Sequence, residues 1–112
     1  MSEPKVAAVY LMTNFRRGVL YVGVTSDLVT RTLQHREGAL EGFTKKYQLK
    51  RLVWFRWFDD IRDAIDFEKR LKRWRRQWKF ELVEQQNPDW DDLWPQLTGM
   101  DLIGPLSHLQ GR

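Results

Sequence analysis

Three stretches of the chain have the apolar pattern of β-strands. Residues 6–12 form a β-rich run, residues 13–18 contain the asparagine and glycine of a turn, and a second run covers residues 19–24. Two short runs joined by such a turn are typical of a β-hairpin. A third run, residues 51–58, is apolar at most positions, which favours a heavily buried strand. The pattern therefore predicts a hairpin followed by one further strand.

Helical periodicity, together with capping residues, predicts three helices, over residues 28–37, 61–74 and 76–86. The runs Thr25-Ser26-Asp27 and Asp59-Asp60 supply N-caps for the first two, and Gly38 is a natural C-terminal stop for the first. Residues 42–47 are interpreted as a basic loop or a short helical turn. A last short turn begins at Asn87, because asparagine suits a cap and the proline that follows suits the first helical position.

These elements predict an α/β (α+β) fold in which helices flank a small three-stranded sheet, mixed or antiparallel, with a helix between the second and third strands. The length of 112 residues favours one domain, with residues 1–97 as its predicted extent. Glycine and proline interrupt any pattern after that point. We therefore expect residues 98–112 to be a poorly ordered tail.

Composition excludes several classes of protein. The chain has no cysteine, so disulfides and thiolate metal sites are impossible and nothing indicates an oxidising compartment. No apolar stretch approaches the roughly 20 residues that span a bilayer, and the N-terminus lacks the features of a targeting segment. We therefore expect a cytoplasmic protein that does not associate with membranes.

Positive charge is concentrated in residues 69–79, which we call the basic segment. It holds seven lysines and arginines in eleven residues and no acid, in a chain of net charge +4. Such a run favours a polyanion, because lysine and arginine release counterions from phosphates, although a solvated helix face is an alternative explanation. Trp74 and Trp78 share one helical face within it, where they stack on bases or pack in the core. Core packing is the favoured interpretation for both.

A carboxylate interrupts the apolar stripe of the second helix. The stripe consists of Ile61, Ala64, Ile65, Glu68 and Leu71. A buried carboxylate is costly, so Glu68 must become protonated, pair with a cation or bind a metal. Arg31 and Lys72 are candidate ion-pair partners, and a stripe that turns toward solvent at Glu68 is a further alternative. With oxygen ligands alone, any metal would be a hard divalent ion such as Mg²⁺ or Mn²⁺.

Several catalytic chemistries lack the residues that they require. The two histidines have no zinc-binding spacing, no glycine-rich phosphate loop is present, and no serine has the setting of an acyl-transfer nucleophile. Strand alternation turns Tyr21 away from the apolar side of the hairpin, and Arg31 and His35 share one face of a helix. Together with Tyr10 and Glu68, these residues are suited to phosphate chemistry.

The same residues, in this order, resemble the motifs of the GIY-YIG nuclease family, in particular its small single-domain members. Ala8-Val9-Tyr10 stands for the first motif and Tyr21-Val22-Gly23 for the second, and the resemblance continues to about residue 97. The matching residues of the full set are Tyr10, Tyr21, Arg31, Glu68 and Asn87. Ala8, Val9 and Val22 depart from the family motifs but keep small or β-branched residues in the strands. Asn87 also has a sufficient explanation as a cap.

The resemblance implies a divalent-metal-dependent endonuclease that hydrolyses phosphodiester bonds. Glu68 would bind a single Mg²⁺ or Mn²⁺, and Arg31 would contact the scissile phosphate. A tyrosine would act as base, and His35 would assist it or bind phosphate. Free phenol has a pKa near 10, so a neighbouring cation must favour the phenolate.

The implied substrate is nucleic acid, with DNA favoured over RNA and a role in repair or recombination by analogy with the excision-repair incision subunit. Residues expected to contact the nucleic-acid backbone are Thr44, Lys45, Lys46, Lys72, Arg73 and Arg76, with ordinary solvation as the alternative for the first three. A protein partner is a candidate source of specificity. The alternative function is a nucleic-acid-binding module that retains the fold without cutting.

Overall fold

The computed structural model describes residues 6–40 and 42–99, so nearly all of the predicted tail lies outside the described residues. The strands are β1 (Ala7–Thr13), β2 (Leu20–Thr25) and β3 (Arg51–Phe58). They form a sheet in the order β2-β1-β3, and both pairs are antiparallel. The predicted three-stranded sheet is therefore confirmed, and of the two forms left open by the sequence it has the antiparallel one.

Helices flank this sheet, as predicted. They are α1 (Leu28–Arg36), α2 (Phe43–Tyr47), α3 (Ile61–Lys72), α4 (Arg76–Gln86) and α5 (Trp94–Thr98). The side chains of Asp27 and Asp60 accept hydrogen bonds from the backbone at the starts of α1 and α3, which confirms both caps. Gly38 has a φ of 69°, the left-handed conformation that ends a helix. None of the helices in the described part of the chain is long and apolar enough to cross a membrane.

The central strand is buried on both faces of the sheet. On one face, Val9 and Leu11 pack with Ala64 and Leu71 of α3 and with α4. On the other face, Tyr10 and Met12 pack with Leu28 of α1, with Leu49 before β3 and with Leu52 of β3, and the leucines around α5 cover this layer. Because side chains alternate along a strand, the two layers share β1 as their common wall.

The outer edge of β3 is covered by the segment that follows α4. A bulge lies at Val53, because Trp54 pairs with Leu11 and Leu52 pairs with Met12. The Val53 carbonyl accepts a hydrogen bond from Asn87 Nδ2, and the backbone N–H of Leu93 donates to the Leu52 carbonyl. These bonds satisfy the groups that an edge strand leaves unpaired.

One detail of the predicted helices was wrong. Ile61 and Ile65 were placed in the buried stripe of α3 but are exposed, and the buried face consists of Ala64, Glu68 and Leu71. Phe67 packs beside them instead, which moves the buried face around the helix. Asn87 ends α4 and, as predicted, begins a short turn, in which its carbonyl accepts a hydrogen bond from the Trp90 N–H and its Oδ1 accepts one from the Asp91 N–H.

The turn between β1 and β2 is fastened to α4. Arg76 donates hydrogen bonds to the backbone carbonyls of Arg17 and Gly18. Arg17 in turn donates two hydrogen bonds of 2.9 Å to the carboxylate of Glu84. Since Tyr21 lies near the start of β2, this fastening positions the strand that carries it.

Candidate active site

Tyr10 and His35 form a buried polar pair between the central strand and α1. The Tyr10 hydroxyl and His35 Nε2 are 3.0 Å apart, and the two residues are 1% and 3% exposed. Burial raises the pKa of Tyr10 well above its usual range and lowers the pKa of His35 to about 4. Both groups are therefore neutral at pH 7, because desolvation disfavours each charged form.

Tyr21 completes a cluster of three rings with this pair, which we call the ring cluster. Its ring centroid lies 6.1 Å from that of Tyr10 and 5.3 Å from that of His35. Tyr21 is only half-buried, so it is the more exposed of the two tyrosines in the cluster. The prediction that Tyr21 faces away from Val22 is confirmed, since the two side chains pack in different layers.

Gly23 makes room for the Tyr10 ring. The two residues are directly opposite each other in the β1–β2 pairing. A Cβ atom at position 23 would lie 2.4 Å from Tyr10 Cζ and 2.5 Å from its hydroxyl oxygen, closer than real atoms approach. The glycine of the second motif is thus a steric requirement of the tyrosine in the first. The sequence contains this signal only as the motif glycine, and its role depends on the strand register.

Arg31 lies one helical turn before His35 and is exposed. Its positive charge opposes the effect of burial on the pKa of Tyr10 and adds to the lowering of the pKa of His35. The guanidinium is therefore within electrostatic range of the pair. No hydrogen bond or ion pair with another described residue occupies it. An exposed guanidinium beside two buried neutral rings is available for an anion from solution.

Glu68 reaches the same region from α3, which packs on β1 and β2. The residue is 8% exposed, and its Oε2 lies 2.6 Å from the ammonium nitrogen of Lys72. The hydrogen bond with Glu68 is the main cause of the raised pKa of Lys72, and the nearby Tyr21 adds a smaller contribution. Glu68 also makes a small contribution to the raised pKa of Tyr10, which is mainly due to burial. Of the ion pairs that the sequence left open, the structure forms the one with Lys72.

The donor set at Glu68 suits one hard cation. Among residues 6–40 and 42–99, no group of three or more His, Cys, Asp or Glu side chains comes together to hold a metal. A single carboxylate suffices only for an ion such as Mg²⁺ that keeps several waters and shares substrate phosphate oxygens. The Lys72 ammonium shows that a cation fits against this carboxylate. The residues present are thus compatible with the ion that the family resemblance implies.

Asn87 is not brought into contact with the ring cluster. Its side-chain amide donates to the carbonyls of Val53 and Asp91, and its Oδ1 accepts from the Asp91 N–H. Val53 belongs to β3 and Tyr21 to β2, on opposite sides of β1. The bonds of Asn87 explain its burial by structure alone, and its catalytic role stays a prediction.

The residues expected to bind nucleic acid differ in how their charges are used. Arg76 bonds to the hairpin turn and stacks 4.8 Å above the Phe80 ring, and Lys72 pairs with Glu68. Arg73 is exposed and has no ion pair with any described residue. Lys45 and Lys46 are exposed on α2. The side chain of Thr44 lies outside the described part of the structure.

The two tryptophans of the basic segment have different environments. Trp74 is partly buried and packs against Phe67, with ring centroids 6.4 Å apart, so the prediction of core packing is confirmed. Trp78 is 49% exposed and carries the Arg75 guanidinium 5.3 Å above its ring. For Trp78 the prediction of core packing was wrong, because α4 turns this position toward solvent.

Comparison with known proteins identifies UPF0213 proteins as relatives of the chain. The chain is 31% identical over 68 residues to a UPF0213 protein of Staphylococcus saprophyticus, which covers 61% of this chain and 83% of the relative. It is 32% identical over 68 residues to a UPF0213 protein of Bacillus pumilus, which covers 61% of this chain and 69% of the relative. No solved structure matches the chain.

The family model that describes the GIY-YIG catalytic domain matches residues 6–81. The matched region contains both hairpin tyrosines, α1 with Arg31 and His35, and α3 with Glu68. It covers more than half of the chain and includes every member of the site except Asn87. The chain therefore belongs to the GIY-YIG catalytic domain family, a family of nucleases.

Proposed function

We propose that the protein is a divalent-metal-dependent endonuclease that hydrolyses phosphodiester bonds in DNA. The observation that carries this proposal is the contact of the Tyr10, Tyr21 and His35 rings, with the charges of Arg31 and Glu68 within electrostatic range of Tyr10. Two phenols, a guanidinium and a carboxylate are groups that can move a proton, neutralise a phosphate and hold a cation.

Tyr21 is the phenol that meets the attacking water. Tyr10 is buried, and desolvation opposes its ionisation, whereas Tyr21 is open to solvent beside it. Tyr10 and His35 hold the ring of Tyr21 in place through their ring contacts. The rigid support of a half-exposed group by buried neighbours is the arrangement expected of a preorganised site.

Arg31 contacts the scissile phosphate. Its planar guanidinium can donate two parallel hydrogen bonds to phosphate oxygens and stabilise the charge that develops there. Glu68 holds the divalent cation, which when bound supplies Lewis-acid stabilisation of the phosphate and the leaving oxygen. His35 remains a positioning residue, because its imidazole is buried and bonded to Tyr10.

The nucleic acid is held through exposed cations. Arg73 and the lysines of α2 are the exposed candidates for backbone contacts, and DNA is favoured over RNA. A role in repair or recombination, with a protein partner that supplies specificity, follows from the family alone. The cytoplasm is the proposed location.

A non-catalytic nucleic-acid-binding module is the second candidate. The observation that favours it is the ion pair of Glu68 with Lys72, because this pair explains a buried carboxylate without any metal. A binding module has no need for Arg31 beside two phenols, which is why the nuclease is the preferred function.

Cleavage assays separate the two candidates. Purified protein is incubated with single-stranded, duplex and branched DNA and with RNA, in Mg²⁺, in Mn²⁺ or in chelator, beside Glu68→Gln. The nuclease predicts metal-dependent products from at least one DNA substrate and none from Glu68→Gln. Binding of every substrate without cleavage in either metal would favour the module.

A further inference from the structure

The ion pair between Glu68 and Lys72 joins a fixed group to a movable one. The Glu68 side chain is 10% exposed and the Lys72 side chain is 55% exposed, four residues apart on α3. The carboxylate is enclosed by the packing of α3 on the sheet, whereas the ammonium ends a flexible four-carbon stem, and more than half of the Lys72 side chain is exposed. The lysine can therefore leave this contact without unpacking the helix.

We propose that Lys72 is an exchange partner for the divalent cation, an inference that rests on the proposed function. In the free protein the Lys72 ammonium neutralises Glu68. A divalent ion binds Glu68 by displacing this ammonium, and the released ammonium then contacts a phosphate of the nucleic acid. Lys72 thus delays metal binding until substrate offers it a second anion.

Coulomb repulsion is the physical reason for exchange instead of sharing. The Lys72 nitrogen lies 2.6 Å from Oε2, at hydrogen-bond distance. An ammonium and a divalent ion on one carboxylate would repel each other within a few ångströms, in a site partly shielded from water. Of the two groups, the Lys72 ammonium is the one that moves, because the packing around the Glu68 carboxylate holds that side chain in place.

Exchange has a consequence for the two ligands. Metal releases a phosphate-binding ammonium, and a phosphate that binds this ammonium frees Glu68 for metal. Each ligand therefore increases the affinity for the other by the same factor. Lys72 counts as a phosphate contact only when metal is bound.

If Lys72 merely held the carboxylate in position, its removal would change the metal affinity in the opposite direction. Removal of such a lysine would loosen Glu68 and weaken metal binding. Removal of a competing ammonium strengthens it. The direction of change in metal affinity therefore distinguishes the two roles, independently of cleavage.

The first experiment measures Mn²⁺ binding to the full chain by the electron paramagnetic resonance of free Mn²⁺, without nucleic acid. Lys72→Met is expected to bind Mn²⁺ about two to five times more tightly than the wild type, the range of a partly exposed ion pair. Lys69→Met is the matched control, because Lys69 is also exposed on α3 and its substitution removes the same formal charge. It is expected to leave the affinity nearly unchanged.

The second experiment measures the salt dependence of binding to a short DNA duplex by fluorescence anisotropy. In chelator, Lys72→Met should have the same slope of log affinity against log salt as the wild type. With Ca²⁺ in place of Mg²⁺, its slope should be smaller by about 0.9, the value of one phosphate contact. A smaller slope in chelator as well would show that Lys72 binds phosphate without metal and would overturn the exchange.

The outcomes separate the inference from the proposed function. If Glu68→Gln binds Mn²⁺ as tightly as the wild type, the metal site itself is wrong and the exchange fails with it. If Glu68→Gln loses Mn²⁺ binding but Lys72→Met binds no more tightly than Lys69→Met, the metal site stands and the exchange alone is overturned. Lys72→Gln, which keeps a polar side chain, repeats the measurement should Lys72→Met lower the melting temperature.

Discussion

The ring cluster and the basic segment treat their polar groups in opposite ways. Tyr10 and His35 are buried, neutral and bonded to each other, so the cluster presents one phenol and one guanidinium to solvent. The basic segment lies mostly at the surface, yet Lys72 and Arg76 bond to other groups of the same protein. Burial and bonding, and not residue type, therefore decide which of these groups can meet a ligand.

Loss of Arg31 should have the largest effect, because it is the charge that the ring cluster offers to phosphate. Arg31→Ala is expected to lower kcat by about 10²-fold or more while KM changes only several-fold, as for removal of a group that stabilises developing charge. Steady-state cleavage kinetics measure this, with Arg62→Ala as an exposed arginine control on α3. An equal loss in binding and rate would make Arg31 a docking residue.

Gly23→Ala should break the ring cluster from within. The added methyl group overlaps the Tyr10 ring, and overpacking of this kind costs about 1–3 kcal/mol of unfolding free energy. Urea denaturation measures the loss. Tyr10→Leu removes the ring that the methyl group meets, so the cost of Gly23→Ala should shrink in that background. An unchanged cost would mean that the clash is with another group.

The buried imidazole makes stability depend on pH. The pKa of His35 falls from 6.5 to about 4 on folding, so the unfolded chain binds the extra proton between these values. Stability is therefore complete above pH 6.5 and decreases as the pH falls, by about 2 kcal/mol between pH 7 and pH 5. In His35→Gln, the free energy of unfolding should decrease less between pH 7 and pH 5, and urea titrations at the two pH values measure this difference. Parallel decreases in both proteins would place a charged imidazole in the folded state.

Substitution of Arg73 and of Arg76 should distinguish the arginine that is available to DNA from the arginine that stabilises the fold. Arg73→Ala is expected to reduce the salt slope of DNA binding by about 0.9 and leave the melting temperature unchanged. Arg76→Ala should leave the slope unchanged and cost about 1 kcal/mol of stability, because it loses hydrogen bonds to the hairpin turn. The reverse assignment would show that the contacts of Arg76 are not kept in solution.

Local signals in the sequence were sufficient for the three strands and for helices α1, α3 and α4. Alternation in the strands placed Tyr21 away from Val22, and cap residues located the starts of α1 and α3. The outward turn of Ile65 and Trp78 was not predictable, because periodicity identifies a stripe but not the neighbour that covers it. Helix α5 was missed, because it is short and its cover of the sheet depends on contacts far along the chain.

The fold class, the family motifs and the chemical types of the site follow from the amino-acid sequence, since these depend on local patterns and on residue identity. The partners of buried polar groups depend on packing in three dimensions. Tertiary packing placed Asn87 on the edge of β3 and set Gly23 against Tyr10. Such contacts join residues that are distant in the chain or depend on strand register and helix orientation, and no local pattern specifies them.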